Sequence, residues 1–230
     1  MIADEVTQES THMITTVLFD FDGTLVDSES LHFQCWNDIL APYGIAYDEV
    51  EFCQRYSGRP TLASAKEVVT QHNLAISAEA LAQQKNDQFA KVAATSLPRL
   101  MPYALEILQH CREDGFKIGL VTGSTRDEVM PILHGYELAE YFACVVTKDD
   151  VSEPKPAPQP YLLGLSLLGA NAQQSLAIED THTGSMSAKS AGLRVAVVPN
   201  THTLTQDFSH ADGRFANLAD LYQQLLQIRK

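Results

Sequence analysis

The sequence predicts an α/β fold, a doubly wound parallel sheet with a block of helices inserted after its first strand. Three observations predict it. Short β-branched and apolar runs alternate with helical stretches from about residue 100 onward, the pattern of βα units with helices on both sheet faces. About seventy residues after the first run read as helix only, a length near the lower end of domain size. Acids, small hydroxyls and a lysine follow the ends of the apolar runs, where such sheets bind ligands.

In chain order, Thr15-Thr16-Val17-Leu18-Phe19 is the first strand, and Asp20-Phe21-Asp22-Gly23 is the turn signal that ends it. Ser28 is placed to cap a helix running to about Tyr43, where Gly44 stops it. Further helices are expected near 48–56, 61–73 and 77–95, with Pro98 and Pro102 marking the exit. A helix near 102–114, closed by Gly115, leads to the strand 117–121 and a helix near 125–134. Then come a strand at 143–146, a helix at 159–168, a strand at 176–178 and a helix at 183–191. A strand at 194–198 and an amphipathic helix at 217–228 finish the chain. The expected organisation is a core of 1–27 and 99–230, with 1–12 a floppy tail, and a helical insertion of 28–98.

The chain has 230 residues, with 16 Lys+Arg against 29 Asp+Glu, for a formal net charge of −13. A nucleic-acid partner needs Lys and Arg to displace its counterions, so none is expected, and neither is an anionic membrane surface. No apolar run approaches the roughly 20 residues of a membrane span. The stretch from Met1 to His12 is polar and acidic, unlike a signal peptide. Cys35, Cys53, Cys111 and Cys144 have no Cys-x-x-Cys spacing and read as buried free thiols, which suits the cytoplasm. A monomer is the default expectation.

The polar residues at the strand exits carry the chemistry. Asp20 and Asp22 follow the first strand and Thr122, Gly123 and Ser124 the second. Lys155 comes after the third, and Glu179 and Asp180 after the fourth. Converging carboxylates need a cation or they repel. Hard oxygen ligands suit Mg²⁺, which also accepts phosphate oxygens. A Thr-Gly-Ser turn opening a helix offers N–H groups to an anion, and Lys155 adds a positive point. Together they describe a phosphoryl site in which a carboxylate attacks phosphorus and Asp22 moves the proton. Rival motifs fail. An EF-hand loop from Asp20 would put Leu25 and Leu31 where Gly and Glu belong. The chain has no Gly-Lys dipeptide, no His-Glu-x-x-His and no Gly-x-Ser-x-Gly.

Four segments carry a resemblance: Asp20-Phe21-Asp22-Gly23-Thr24-Leu25-Val26-Asp27-Ser28, Val121-Thr122-Gly123-Ser124, Lys155-Pro156-x-Pro158, and Ile178-Glu179-Asp180-Thr181-x-x-Gly184. In order and spacing they resemble the four motifs of the haloacid dehalogenase superfamily in its phosphatase form. The likeness covers nearly everything from residue 14 onward. It implies a Rossmann-like core with a C1-type helical cap. It also implies an aspartyl-phosphate formed on Asp20, which is at once a metal ligand. Asp22 would be the general acid/base and would give its backbone carbonyl to the metal. Thr122, Lys155 and the N–H of Gly123 would hold the transferring phosphoryl group. Asp180 would ligate Mg²⁺, with Glu179 in the same shell, as a direct ligand or one layer out. Ser124 and Arg126 stay open between phosphate contact and simple helix initiation, and Asp27 between a role and a turn cap.

The dehalogenase and phosphonate-cleaving branches lack the second acid, here Asp22, which leaves phosphatases and phosphosugar mutases. The mutase branch holds its second phosphate with a Lys-Gly-x-Ser-Arg segment of the cap. Here Ser57-Gly58-Arg59-Pro60-Thr61 stands there, and Thr125 replaces a lysine after the second motif. Hydrolysis of a small phosphorylated metabolite, a sugar phosphate, is therefore the favoured reading, with a mutase the alternative and a non-catalytic phosphate binder the third. Arg59 and Arg55 flank Gly58 and are candidates for reading the substrate. His32 matches a histidine that links the cap to Asp22, against a plain helix-surface reading. Trp36 reads as cap packing. His72, His110, His134, His182, His202 and His210 read as surface residues.

Overall fold

Thr16–Phe19 forms strand β1 because its side chains have apolar partners on both faces. Val17 and Phe19 enter one buried cluster and Leu18 enters the other. A strand buried on both sides reads as an unbroken apolar run. β4 (Lys117–Val121) and β6 (Ser175–Glu179) flank it in parallel and divide in the same way. Ile118, Leu120, Leu176 and Ile178 share the first cluster, while Val121 and Ala177 share the second. β5 (Cys144–Val146) lies outside β4. β7 (Arg194–Val197) and β8 (Gly213–Arg214) extend the other side, giving the order β5-β4-β1-β6-β7-β8. The strand order reverses at β1, which opens a crevice at the carboxyl ends of β1, β4 and β6. The structure, a computed structural model, describes residues 13–56, 59–93 and 95–228. The expected tail 1–12 and the pair Ser57-Gly58 lie outside the described residues.

Helices α5 (Ala104–Glu113), α6 (Arg126–Gly135) and α9 (Leu218–Ile228) cover the first sheet face. Helices α7 (Gln159–Leu168) and α8 (His182–Ser190) cover the second. Between β1 and β4 stand four more helices, α1 (Glu29–Leu40), α2 (Glu49–Tyr56), α3 (Thr61–His72) and α4 (Ala78–Ala93). They gather around a cluster of their own that includes Trp36, Phe52, Tyr56, Val68 and Leu81. Leu31, Cys35, Phe89 and Ala93 instead join the first core cluster, so α1 and α4 are rooted in it. The chain enters and leaves this block through β2 (Val26–Asp27) and β3 (Arg99–Leu100), which pair antiparallel. No helix of the described residues is long and apolar enough to cross a membrane.

Some expectations need correction. Ser28 occupies the N-cap position of α1 but makes no cap hydrogen bond: its backbone is already helical (φ −90°, ψ −14°) rather than extended, and its hydroxyl donates to Asp22 at 2.5 Å. The α-helix ends at Leu40, and 41–43 tighten into a 3₁₀ turn that Gly44 closes with φ 71°. Cys144 is half-buried, since it lies on the edge strand β5, while the other three cysteines are buried and all four are free. His134 and His182 are exposed, but His72, His110, His202 and His210 are half-buried. His72 meets the Tyr47 hydroxyl and His110 stacks on Tyr222, so their rings are packing surfaces as well. β8 escaped sequence reading because two residues carry no period.

Candidate active site

Asp20 is the first residue beyond β1, and its N–H donates to the Ile178 carbonyl at 2.9 Å, continuing the ladder into the crevice. Lys155 reaches it from the proline-rich loop before α7. The ammonium group lies 2.6 Å from Asp20 Oδ1 and 2.6 Å from Glu179 Oε1, and donates to the Val121 carbonyl at 2.9 Å. One lysine therefore ties together the ends of β1, β4 and β6. Burial disfavours its charge, but Asp20 and Glu179 outweigh that and hold it above the ordinary lysine range.

Glu179, the last residue of β6, is fully buried. The Tyr161 hydroxyl donates to its Oε1 at 2.7 Å and the Thr181 hydroxyl to its Oε2 at 3.3 Å. Gly184 leaves room for this carboxylate, since a Cβ there would stand 2.0 Å from Oε1. Asp180 accepts the Asn200 amide at 2.8 Å on Oδ2, while its Oδ1 is buried with no hydrogen-bond partner among the described residues. Asn200 also donates to the Gly23 carbonyl at 3.2 Å, and Gly23 adopts φ 78° with Asp180 pressed against it.

Asp20, Glu179 and Asp180 offer oxygens that all lie within 4.8 Å of one another. Burial, then the charge of Glu179, pushes the Asp20 carboxyl well above its ordinary range; burial, then Asp20, does the same to Asp180. Three buried acids against one lysine leave room for a further cation. Hard oxygen donors and the unpartnered Oδ1 of Asp180 fit Mg²⁺.

Asp22 lines the same cavity as Asp20 but bonds to a separate set of groups. It accepts the hydroxyls of Ser28 at 2.5 Å, Ser124 at 2.6 Å and Thr122 at 3.2 Å, with His32 Nε2 at 3.8 Å. Burial opposes its ionisation, but His32 and the hydroxyls of Ser124 and Ser28 hold its carboxyl below the usual carboxylate range. Its carboxylate is thus held in the ionised form by these donors. Thr122 also accepts the N–H of Ser124 at 3.0 Å, and Gly123 is exposed between them.

The helical block supplies the roof. His32 is half-buried and stacks on Phe89 with ring centroids 4.1 Å apart, which rules out a bare surface reading. Trp36 packs against Phe52 and also lines the cavity over Asp20. Arg59 lines it too, but its guanidinium lies 2.8 Å from Glu67, which Arg55 also binds. Lys85 of α4 meets Glu128 of α6 at 3.2 Å, and both are buried. His182 and Arg126 turn elsewhere, to the Asp207 carbonyl and to Asp150.

Sequence reasoning missed Tyr161, Asn200, Lys85 and Glu128. Thr125-x-x-Glu128 is a capping-box signature that the structure forms in full. Lys85 sits four residues from both Leu81 and Phe89, so helical spacing places it on the apolar face of α4. Asn200 lies just beyond β7, where the strand-exit rule applies.

The chain is similar to known proteins in sequence and fold. The family model described as haloacid dehalogenase-like hydrolase matches residues 17–198. Protein CbbY of Rhodobacter capsulatus is 28% identical over 214 residues, covering 90% of this chain and 94% of its own length. The fructose-1-phosphate phosphatase YqaB of Escherichia coli is 29% identical over 177 residues, covering 77% of this chain and 92% of its own. CbbY from Rhodobacter sphaeroides, solved in complex with xylulose-(1,5)bisphosphate, superposes with a TM-score of 0.76 at 26% identity. That match covers 91% of this chain and 96% of the other.

Proposed function

The chain belongs to the haloacid dehalogenase-like hydrolases, a phosphoric monoester hydrolase among phosphatase relatives, and on that premise we propose that it is a Mg²⁺-dependent phosphatase of a small sugar phosphate working through an aspartyl-phosphate. The observation that carries this reading is the buried trio of Asp20, Glu179 and Asp180, bridged by Lys155, with Asp22 alongside in its own hydroxyl cage.

In this reading Asp20 attacks phosphorus and the bond to the leaving oxygen breaks, with Asp22 delivering the proton that oxygen takes. Asp22 then accepts a proton from water, whose oxygen attacks phosphorus and frees Asp20 and phosphate. Lys155, Thr122, Ser124 and the N–H of Gly123 hold the phosphoryl oxygens. Asp20, Asp180 and the Asp22 carbonyl, with Glu179 behind or beside them, would hold Mg²⁺, which supplies charge neutralisation at the phosphoryl oxygens. His32 couples the roof to Asp22, and Arg59 meets the rest of the substrate. Residues 28–98 act as the cap on a core of 1–27 and 99–230. Four free cysteines support a cytoplasmic setting.

A phosphate-release screen over phosphorylated metabolites tests this, with isomer formation from the same sugar phosphates scored in parallel for the mutase alternative. Asp20→Asn is expected to abolish turnover with the fold intact. A variant keeping more than about a tenth of the wild-type rate would lose only about 1.4 kcal/mol of barrier lowering, too little for removal of a nucleophile. Chelation is expected to silence the enzyme, with Mg²⁺ restoring it and Ca²⁺ restoring little, since its looser coordination misplaces the reactants. Full activity after exhaustive chelation would overturn the metal assignment.

A further inference from the structure

Four cations line the cavity above Asp20: Arg59, Lys85, Lys148 and Lys155. Three of them face carboxylates of the protein: Arg59 meets Glu67, Lys85 meets Glu128, and Lys155 meets Asp20 and Glu179. Lys148 makes no ion pair among the described residues, although Asp149 and Asp150 follow it directly in a chain of net charge −13.

The local turn explains why. Asp150 Oδ2 accepts both the N–H and the hydroxyl of Thr147 at 2.8 Å, and the Arg126 guanidinium binds the same carboxylate at 2.9 Å. Asp149 accepts the Arg126 N–H at 2.8 Å. The start of α6 thus engages both neighbouring acids and leaves Lys148 at the cavity wall without a counter-charge.

Its position has a chemical meaning. The Lys148 N–H donates to the Ser124 carbonyl at 3.0 Å, and the Ser124 hydroxyl donates to Asp22 at 2.6 Å. Asp22 is the group that serves the leaving oxygen, so Lys148 borders the side of the cavity from which the leaving group departs. We infer that Lys148 binds a second anionic group, phosphate or carboxylate, on the leaving portion of the substrate. The favoured substrates are then phosphate monoesters whose leaving group is itself an anion. This deepens the phosphatase reading and rests on it.

The test compares kcat/KM in three arms: sugar monophosphates with neutral leaving groups, sugar bisphosphates, and carboxylate-bearing esters such as phosphoglycolate. Wild type is expected to prefer one or both anionic arms. Lys148→Gln is expected to cut the ratio of anionic-arm to neutral-arm kcat/KM by at least about tenfold, the worth of one hydrogen bond to a charged group. Lys148→Arg is expected to restore most of that ratio. A ratio unchanged within about twofold, or no anionic preference in wild type, overturns the inference and leaves Lys148 an ordinary solvated lysine. The arm that responds identifies phosphate or carboxylate. If no ester in any arm releases phosphate, the phosphatase reading fails on its own account. Lys148 is then judged by binding, using the fluorescence of Trp36, the one tryptophan in the chain, which lines the same cavity. In Asp20→Asn, fructose 1,6-bisphosphate and phosphoglycolate are each titrated beside fructose 1-phosphate. One of them is expected to bind more tightly, and Lys148→Gln to remove that difference. Equal affinities overturn the inference.

Discussion

At the scale of single residues the site depends on space as much as on charge. Glu179 is held by Lys155, Tyr161 and Thr181 and has no freedom to retreat, so Gly184→Ala would push a methyl group into a fixed carboxylate. The expected outcome is a folded protein, by circular dichroism, whose kcat falls about 100-fold, the usual result of moving catalytic groups by about an ångström. A kcat within about threefold of wild type would show that Glu179 can shift freely. Asp20, Asp22, Thr122, Glu179 and Asp180 are legible from sequence because they lie at or just beyond strand ends, and Lys155 because it stands in a proline-rich loop that follows the third such strand. Tyr161 and Asn200 are not, since a tyrosine among leucines reads as core and an asparagine in a loop reads as a turn. Ser28 carries a helix-cap signature, yet a nearby carboxylate takes its hydroxyl. Local pattern cannot report an acceptor six residues upstream in a folded turn.

At the scale of elements, α4 and α6 meet through the buried pair Lys85–Glu128. Burial raises the Glu128 carboxyl, but Lys85 and the Thr125 donors outweigh it, so its pKa lies below the ordinary 4.5. A carboxyl lowered by folding stabilises the fold above its unfolded value, and that contribution is lost as pH falls through the folded value. Lys85→Met leaves a buried carboxylate without its cation and is expected to cost about 3 kcal/mol at pH 7. Adding Glu128→Gln, which keeps a capping-box side chain, should recover much of that. Urea unfolding of the three proteins at pH 7 and near pH 4 checks it, and the Lys85→Met deficit should shrink on acidification. A deficit that is the same at both pH values would place its origin in packing instead. The elements themselves are mostly readable, because strands buried on both faces write unbroken apolar runs and helices write a 3.6-residue period. Strand 117–121 and helix 159–168 match the expected bounds. The two-residue strands β2, β3 and β8 are set by pairing partners far along the chain, which local period does not record.

At the scale of the whole molecule, the roof touches the core through a polar seam as well as an apolar one. Opening it would return Lys85 and Glu128 to water together, which avoids leaving either charge buried alone. We expect residues 28–98 to rotate as a body about the β2–β3 ribbon, closing over the site and excluding bulk water when phosphate is bound. Small-angle X-ray scattering should give a smaller radius of gyration with Mg²⁺ and inorganic phosphate than after chelation, and an unchanged profile would argue against the motion. The ribbon has another consequence. Asp27 and Arg99 are Cα partners across it, so the chain leaves and rejoins the core at neighbouring points. A gap of that width can be bridged by a two-residue hairpin turn, and the entropy of closing a longer loop rises only with the logarithm of its length. The core's connectivity is therefore indifferent to what is spliced in there. We expect the insertion to behave as an exchangeable cassette: another segment spliced in at the same two points would leave the threading of the sheet unchanged.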